Sequence, residues 1–179
     1  MAKYTTYTKE RLADALIELM LEKPLSEISI SELADKAQVN RASFYRNFHS
    51  KDEILLHSFN ARYRRWISRN EEMRSLEGDP YLQARGFFEF MLAERDFLLT
   101  LYETGSLGVM LRFLEELIGP TADDHPQDAF YRAYHAYGAY GVYSEWIRQG
   151  MEQTPEEMAA LLVYETNNPH GSLIRKEQG

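Results

Sequence analysis

Residues 29–51 read SISELADKAQVNRASFYRNFHSK, and this stretch predicts a helix, a tight turn and a second helix. Ser29 and Glu32 have the spacing of a capping box, in which a hydroxyl and a carboxylate satisfy backbone N–H groups at a helix start. The apolar residues that follow recur at helical spacing. Asn40 is a favourable N-cap for the second helix. The two helices are therefore expected to begin just after Ser29 and Asn40.

The second helix separates a core face from an outward face. At about 100° per residue, Phe44 and Phe48 share one side, whereas Ala42 and Arg46 point nearly opposite. Residues 36–51 contain four Lys or Arg residues and no Asp or Glu, a local charge of +4 in a chain of net charge −8. A small helix with basic and hydroxyl groups outward suits insertion into the major groove of DNA.

A further helix is predicted directly after this segment, because Ser50 and Glu53 form another capping-box pair. Lys51 would then lie beside a helix N-terminus, where backbone N–H groups and its ammonium could bind one phosphate together.

Residues from about Leu12 to Leu56 resemble the DNA-binding domain of the TetR family of bacterial transcriptional repressors. The matching residues are Ile30, Leu33, Ala34, Ala37, Val39, Phe44, Tyr45, Phe48, Ser50, Lys51 and Glu53. The resemblance implies that Tyr45 and Lys51 contact the DNA backbone. It also implies the candidates for reading bases, which are Arg41, Ala42, Ser43 and Arg46. The predicted DNA-binding set is completed by residues in and around the two helices: Ser29, Ser31, Lys36, Gln38, Asn40 and His49.

Two positions depart from the family pattern. Gln38 stands where the family usually has glycine in the turn, so a turn that demands positive φ would strain its backbone. Asn47 stands where an aromatic residue or histidine is common.

Composition excludes several classes of protein. The 179 residues are 44% hydrophobic and 27% charged, which is ordinary for a globular chain. No apolar run approaches the roughly 20 residues of a membrane span, and the N-terminus lacks a signal-peptide hydrophobic stretch. With no cysteine there is no disulfide or thiolate chemistry. We expect a cytoplasmic protein with no membrane association.

The charge is unevenly distributed along the chain. Residues 1–65 carry a net charge of +2, whereas residues 66–179 carry −10. An acidic C-terminal part would be repelled by DNA and would leave only the N-terminal part attractive to it.

The helical pattern extends over the whole chain, so an all-α fold is predicted. A first helix is expected from Thr8 as N-cap to just before Pro24, and a long one from Lys51 to about Arg74. Further helices are expected at about 80–93, 96–104, 106–118, 126–150 and 155–166, with a frayed tail after them. The predicted domains are a helix-turn-helix head (residues 1–50) and a helical-bundle body (residues 51–179), joined by the long helix.

Five tyrosines recur every third residue from Tyr131 to Tyr143. Because each step turns about 300°, they cannot share one face of a helix. This segment and the one after it resemble the last two helices of TetR-family bodies, which pair with their two-fold mates as a four-helix dimer interface. The interface residues implied are Gly138, Gly141, Trp146, Met158, Leu161 and Leu162.

The resemblance also implies a pocket for a small-molecule inducer in the body. The candidate pocket residues are Phe87, Met91, Tyr102, Phe113, Tyr134, His135 and Tyr137, since apolar walls with a few tyrosine or histidine handles are typical of such sites. Ordinary core packing is the competing interpretation of each aromatic residue.

Other kinds of site have little support. Asp123, Asp124 and His125 are adjacent in a loop and favour a solvated turn over a metal site. No nucleophile and base stand at a recognisable spacing, so neither an enzyme nor a cofactor is expected.

We therefore interpret the chain as a homodimeric regulator that binds double-stranded DNA at a palindromic operator and is released by an inducer. The alternative is a ligand-binding or interaction protein of the same fold without operator binding, which Gln38 in the turn favours.

Overall fold

The computed structural model describes residues 2–70 and 79–167, and every regular element within them is helical. A single 3-10 turn, Leu25–Glu27, joins the first two α-helices. The α-helices are α1 (Ala2–Met20), α2 (Ile30–Lys36), α3 (Arg41–Asn47), α4 (Lys51–Arg69), α5 (Pro80–Ala93), α6 (Arg95–Glu103), α7 (Gly108–Ile118), α8 (Pro126–Arg148) and α9 (Pro155–Asn167). The predicted all-α class is confirmed. The tail expected at the C-terminal end lies outside the described residues.

Helix boundaries in the body agree with the predicted ones to within about two residues, but the first and fourth helices differ. Helix α1 begins at Ala2 rather than after Thr8, whose side chain is only 3% exposed. Thr8 is therefore an inward-facing residue within α1 and not its cap. Helix α4 ends at Arg69, before the expected residue 74.

The three predicted N-caps of the head are confirmed. The side-chain oxygens of Ser29, Asn40 and Ser50 each accept the backbone N–H of the residue three positions later, at 3.2, 2.8 and 3.2 Å. Each bond satisfies a backbone donor that has no partner inside its own helix. These caps fix where α2, α3 and α4 begin.

The glutamates of the two capping boxes do not bond back to their own caps. Glu32 pairs instead with Lys23 at 2.5 Å, which joins α2 to the end of α1. Glu53 accepts the backbone N–H of His49 at 2.7 Å. Both carboxylates thus tie a connecting segment to the helix that follows it.

The turn between α2 and α3 forms with Gln38 in the left-handed region, at φ +52°. Its backbone N–H donates to Asp35 O at 3.0 Å, and that of Val39 donates to Ala34 O at 2.9 Å. Arg11 Nη2 donates to Gln38 Oε1 at 2.6 Å, which connects the turn to α1. The chain therefore adopts the strained turn that the glycine position predicts, and it holds that turn with a side-chain bond from α1.

Gln38→Val should lower the free energy of unfolding by roughly 1–2 kcal/mol, because a β-branched side chain tolerates positive φ poorly. Gln38→Gly is the matched control, since it relieves strain but loses the Arg11 bond and gains unfolded-state entropy. We expect the free energy of unfolding of Gln38→Gly to lie within about 1 kcal/mol of that of the parent protein. Urea unfolding measures both variants, and equal stabilities for Val and Gly would contradict the backbone seen at this turn.

Helix α4 connects the head to the body through one continuous apolar core. Its first turns bury Ile54 and Leu55 in the head, where α4 packs against α1. Further along, Phe59 is fully buried among rings of the body and α4 packs against α7. A displacement of α4 would therefore disturb packing in both the head and the body.

A second link between α4 and the body is made by Arg62. Its Nη1 lies 2.5 Å from Glu94 Oε2, and its guanidinium stacks 4.4 Å from the ring centre of Phe97. Arg62 is therefore not part of a solvated basic face, whereas Arg64 and Arg65 are exposed. None of the helices in the described part of the chain is long and apolar enough to cross a membrane.

Candidate nucleic-acid interface

Helix α3 is anchored on one side and exposed on the other. Phe44 and Phe48 are 1% and 3% exposed and hold α3 against the core of the head. Tyr45 is 57% exposed, and its ring meets that of Phe44 edge-on at 5.2 Å. The other exposed side chains of α3 are Arg41, Ala42 and Arg46. Two cations, a phenol and a methyl group are thus presented outward by a helix short enough to enter a major groove.

Ser43 does not belong to this outward face. Its side chain is 3% exposed, so it cannot reach a base edge as a base-reading residue would. Its position between the two faces on a helical projection was compatible with exposure, but in the folded head its hydroxyl bonds to Asn40 and Arg46 and its side chain is buried. Ser43 is therefore corrected from a base-reading candidate to an interior residue of the interface.

The Ser43 hydroxyl joins two neighbours. It donates to Asn40 Oδ1 at 2.9 Å and accepts from Arg46 Nη2 at 2.9 Å. Asn47 Nδ2 donates to the Ser43 carbonyl at 2.7 Å, so the residue that departs from the family pattern folds back onto α3.

Two of the cations in the basic segment have partners within the protein. Lys51 Nζ donates to the carbonyls of Leu25 and Ile28, the latter at 2.8 Å, and thereby holds the 3-10 segment against the start of α4. Lys36 Nζ pairs with Glu18 of α1 at 2.9 Å. Of the three N–H bonds of the Lys51 ammonium, one remains for a phosphate.

The segment before α4 is fixed by Glu53. The backbone N–H of His49, bonded to its carboxylate, holds the pKa of Glu53 below its usual value, and the His49 ring lies 3.2 Å away. His57 lies edge-on to Phe48, and burial, helped by Lys9 and Arg64, lowers its pKa. Glu53 is therefore a carboxylate and His57 a neutral imidazole at neutral pH.

The remaining members of the predicted DNA-binding set lie around α2 and α3. Exposed side chains are found at Ser29, Lys36, Gln38, Asn40 and His49, whereas those of Ser31 and Lys51 are half-buried. Ser29 and Asn40 serve as helix caps through their side-chain oxygens.

The seven candidate inducer residues do not come together in one place. Phe87, Met91 and Phe113 are at most 7% exposed and belong to the body core. Tyr134 and Tyr137 are 68% and 56% exposed, on the side of α8 that faces solvent. His135 is half-buried, and Tyr102 of α6 is 40% exposed. Tyr137 donates to Glu115 Oε1 at 3.0 Å. These three tyrosines thus cannot share an enclosed pocket with the buried three.

Two other tyrosines pack their rings against aromatic residues of the body core. The ring of Tyr63 lies 5.2 Å from those of Phe90 and Phe113, and the ring of Tyr143 lies 4.9 Å from that of Phe87. Burial raises the pKa of both phenols. Sequence reasoning missed Tyr143, because helical spacing alone does not show which of the regularly spaced tyrosines turns inward, and it did not consider Tyr63 of α4.

The predicted dimer residues divide into two groups. Trp146 and Met158 are 1% and 8% exposed and pack within the monomer, so they cannot form an interface with a second chain. Gly138, Gly141 and Leu161 are exposed, and Leu162 is half-buried. The exposed face of α8 also carries Phe130 and Tyr134, which the sequence analysis did not assign to the interface.

Among the described residues, no group of three acidic or histidine side chains could hold a metal ion. Asp124 instead accepts the backbone N–H of Thr121 at 2.7 Å and lies 3.3 Å from Arg132. The Thr121 backbone bond lowers the pKa of Asp124. Its carboxylate organises the loop before α8.

Comparisons with known proteins agree with this geometry. Residues 12–57 match the family described as bacterial regulatory proteins, tetR family, and residues 79–168 match a transcriptional regulator C-terminal region. A solved structure, the dihydroxyacetone kinase operon activator DhaS, aligns with a TM-score of 0.46 and 18% identity over 87% of this chain and 92% of that chain. No curated protein sequence matches the chain.

Proposed function

The chain belongs to the TetR family of DNA-binding transcriptional regulators, and from this premise we propose that it is a homodimeric repressor released from its operator by a small molecule. The family consists of regulators and not of enzymes. The proposal concerns the symmetry of DNA binding, the direction of regulation and the means of release.

The observation that carries the proposal is the exposed face of α3. Arg41, Tyr45 and Arg46 project from a helix that is fixed from behind by Phe44 and Phe48. A helix held in this way favours base readout, because little backbone freedom remains to be lost on binding. The acidic body, net −10 over residues 66–179, would keep the remaining surface away from DNA.

A dimer would place two copies of α3 on successive turns of one face of the duplex, about 34 Å apart or a multiple of that. The operator would then be a palindrome whose half-sites match this spacing. Support for the dimer comes from the exposed aromatic residues and glycines of α8, a face that is costly to leave in water.

Release by a small molecule would act through α4. A ligand that contacts Tyr63 and Tyr143 would have to displace Phe87 of α5, whose ring contacts both tyrosines, and α4, which carries Tyr63, continues into the head. The ligand would weaken operator binding by a free energy equal to its preference for the altered arrangement over the DNA-binding one. Tyr63 and Tyr143 are the polar groups that we assign to this site.

Selection of bound duplexes from a random DNA pool, at two salt concentrations, tests the proposal. A palindromic motif with half-sites about one turn apart and steep salt dependence is expected. Salt-sensitive binding without any motif would contradict the repressor and would favour an interaction protein of the same fold. That alternative loses its main support because the turn forms with Gln38 in place.

Lys51→Ala should weaken binding to all DNA sequences about equally and should reduce the salt slope by about one ion, because one phosphate contact is lost. It should also destabilise the head, since the ammonium holds the Leu25 and Ile28 carbonyls. Binding isotherms at several salt concentrations give the slope, and a melting curve gives the stability.

Tyr45→Phe is the matched control for this measurement. It removes one hydroxyl from an exposed backbone-contacting position without changing the charge, so affinity should fall while the salt slope stays the same. An unchanged salt slope for Lys51→Ala would mean that Lys51 does not contact a phosphate and serves only to hold the Leu25 and Ile28 carbonyls.

A further inference from the structure

We propose that Ser43 is a positioning residue that orients the Arg46 guanidinium to read a guanine in the operator, an inference that rests on the proposed function. Ser43 is buried and cannot contact a base itself. It nevertheless touches the one outward arginine in the last turn of α3. Its effect on DNA readout would therefore pass through Arg46.

The directions of the bonds around Ser43 are fixed by chemistry. Asn40 Oδ1 accepts the backbone N–H of Ser43 at 2.8 Å, which identifies that atom as the amide oxygen and not the nitrogen. The Ser43 hydroxyl lies 2.9 Å from the same oxygen and must donate to it. Its lone pairs are then left for Arg46 Nη2, which donates at 2.9 Å. The N-cap of α3 thus determines the orientation of the hydroxyl, and the hydroxyl determines that of the arginine.

This arrangement retains the donors that guanine needs. An arginine has five N–H bonds, and Ser43 uses one of them. The others can still donate in parallel to O6 and N7 of guanine, the one base that offers two acceptors side by side in the major groove. Because Ser43 is shielded from water, its bond persists while the exposed end of Arg46 meets the base. An arginine held in this way loses less rotamer freedom on binding than an unrestrained one.

The test measures base discrimination by the full-length protein, using the selected operator and duplexes with single base-pair replacements in each half-site. A bidentate arginine contact should favour guanine by about 5- to 150-fold at one position. Arg46→Ala should remove that preference. Ser43→Ala should reduce it at the same position by about 2- to 12-fold, the worth of one hydrogen bond. In the Arg46→Ala background, Ser43→Ala should reduce it no further.

Ser50→Ala serves as the control, because that serine caps α4 and does not touch Arg46. It should lower the melting temperature without altering base preference. The fold of Ser43→Ala should be retained, since Asn40 still accepts the backbone N–H of residue 43. A melting curve for each variant separates loss of fold from loss of readout.

Three results with Ser43→Ala would overturn the inference. Ser43→Ala could leave every base preference intact, could alter a different base pair from Arg46→Ala, or could have its full effect without Arg46. If Arg46→Ala keeps all preferences while the palindrome remains, the inference fails and the proposed function stands. If the parent protein selects no motif, both fail together.

Discussion

Phe59→Ala is expected to lower the free energy of unfolding by about 3–5 kcal/mol. Phe59 is fully buried, and its ring centre lies 5.9 Å from that of Phe90, 5.9 Å from that of Phe97 and 4.5 Å from that of Phe113. These three rings come from α5, α6 and α7. Truncation on α4 therefore leaves a cavity bordered by three other helices, which cannot all move inward to fill it.

Chemical denaturation at a fixed protein concentration measures this loss. The free energy of unfolding of Phe59→Leu should lie between those of the parent protein and Phe59→Ala, because leucine retains most of the side-chain volume. Leu21→Ala is the control for removing an apolar side chain, since Leu21 is 71% exposed, and it should cost no more than about 0.5 kcal/mol. A loss below 1 kcal/mol for Phe59→Ala would mean that α4 is not packed into the body as described.

The features that sequence predicted well are those decided within a few residues. Ser29, Asn40 and Ser50 cap their helices because a cap depends only on a side-chain oxygen and the N–H three positions on. The strain at Gln38 was expected from the family resemblance, since Gln38 stands where the family usually has glycine, and its φ is +52°. Local chemistry thus accounts for the position of every helix start in the head except that of α1.

The features that sequence missed depend on residues far apart in the chain. Ser43 lies between the two faces of α3 on a helical projection, which does not decide its burial, and the folded head leaves it 3% exposed. Lys51 meets the carbonyls of Leu25 and Ile28, more than 20 residues earlier. Trp146 was implied as a dimer residue by the family resemblance but packs edge-on against Phe88 of α5. Such contacts depend on the tertiary arrangement, which helical periodicity does not determine.

The tyrosines of α8 combine, in one helix, a feature that sequence predicted and one that it missed. A spacing of three predicts that they rotate around the axis, and Tyr131 is 70% exposed whereas Tyr143 is 5% exposed. Which end turns inward follows from the contacts of α8 with α6 and α7. As a result, Tyr143 was not among the predicted pocket residues, although Tyr134 and Tyr137 were.

Gly138 and Gly141 have no close packing neighbour outside α8 among the residues that the structure describes. A methyl group built on either one would meet no atom within 4 Å outside its own helix, and both lie on the exposed arc of α8 with Phe130, Tyr134 and Tyr137. Glycine within a helix costs roughly 1 kcal/mol relative to alanine, so two of them one turn apart suggest a packing or binding partner. A second helix in close approach, flanked by aromatic side chains, is a partner of that kind.

Gly141→Gln is therefore expected to abolish the dimer while leaving the monomer folded. The new side chain enters open space in the monomer and improves helix propensity, but it would occupy the space in which the proposed dimer places the partner helix. Operator affinity should fall by about 100-fold or more, because each α3 would then bind its half-site without the effective concentration that dimerisation supplies. Sedimentation equilibrium measures the dimer, and titration of the selected operator measures the affinity.

Ala93→Gln adds a similar side chain to an exposed position at the end of α5, outside α8 and α9, and should leave both dimer and affinity intact. Circular dichroism should show equal helix content in the two variants. If Gly141→Gln remains a dimer with the parent affinity, the exposed face of α8 is not where two copies meet, and the symmetry proposed for the operator loses its structural basis. If Gly141→Gln is a folded monomer that binds DNA weakly, operator binding depends on the glycines of α8 as well as on the basic face of α3. The reason would be that α8 determines the spacing at which two copies of α3 can reach one duplex.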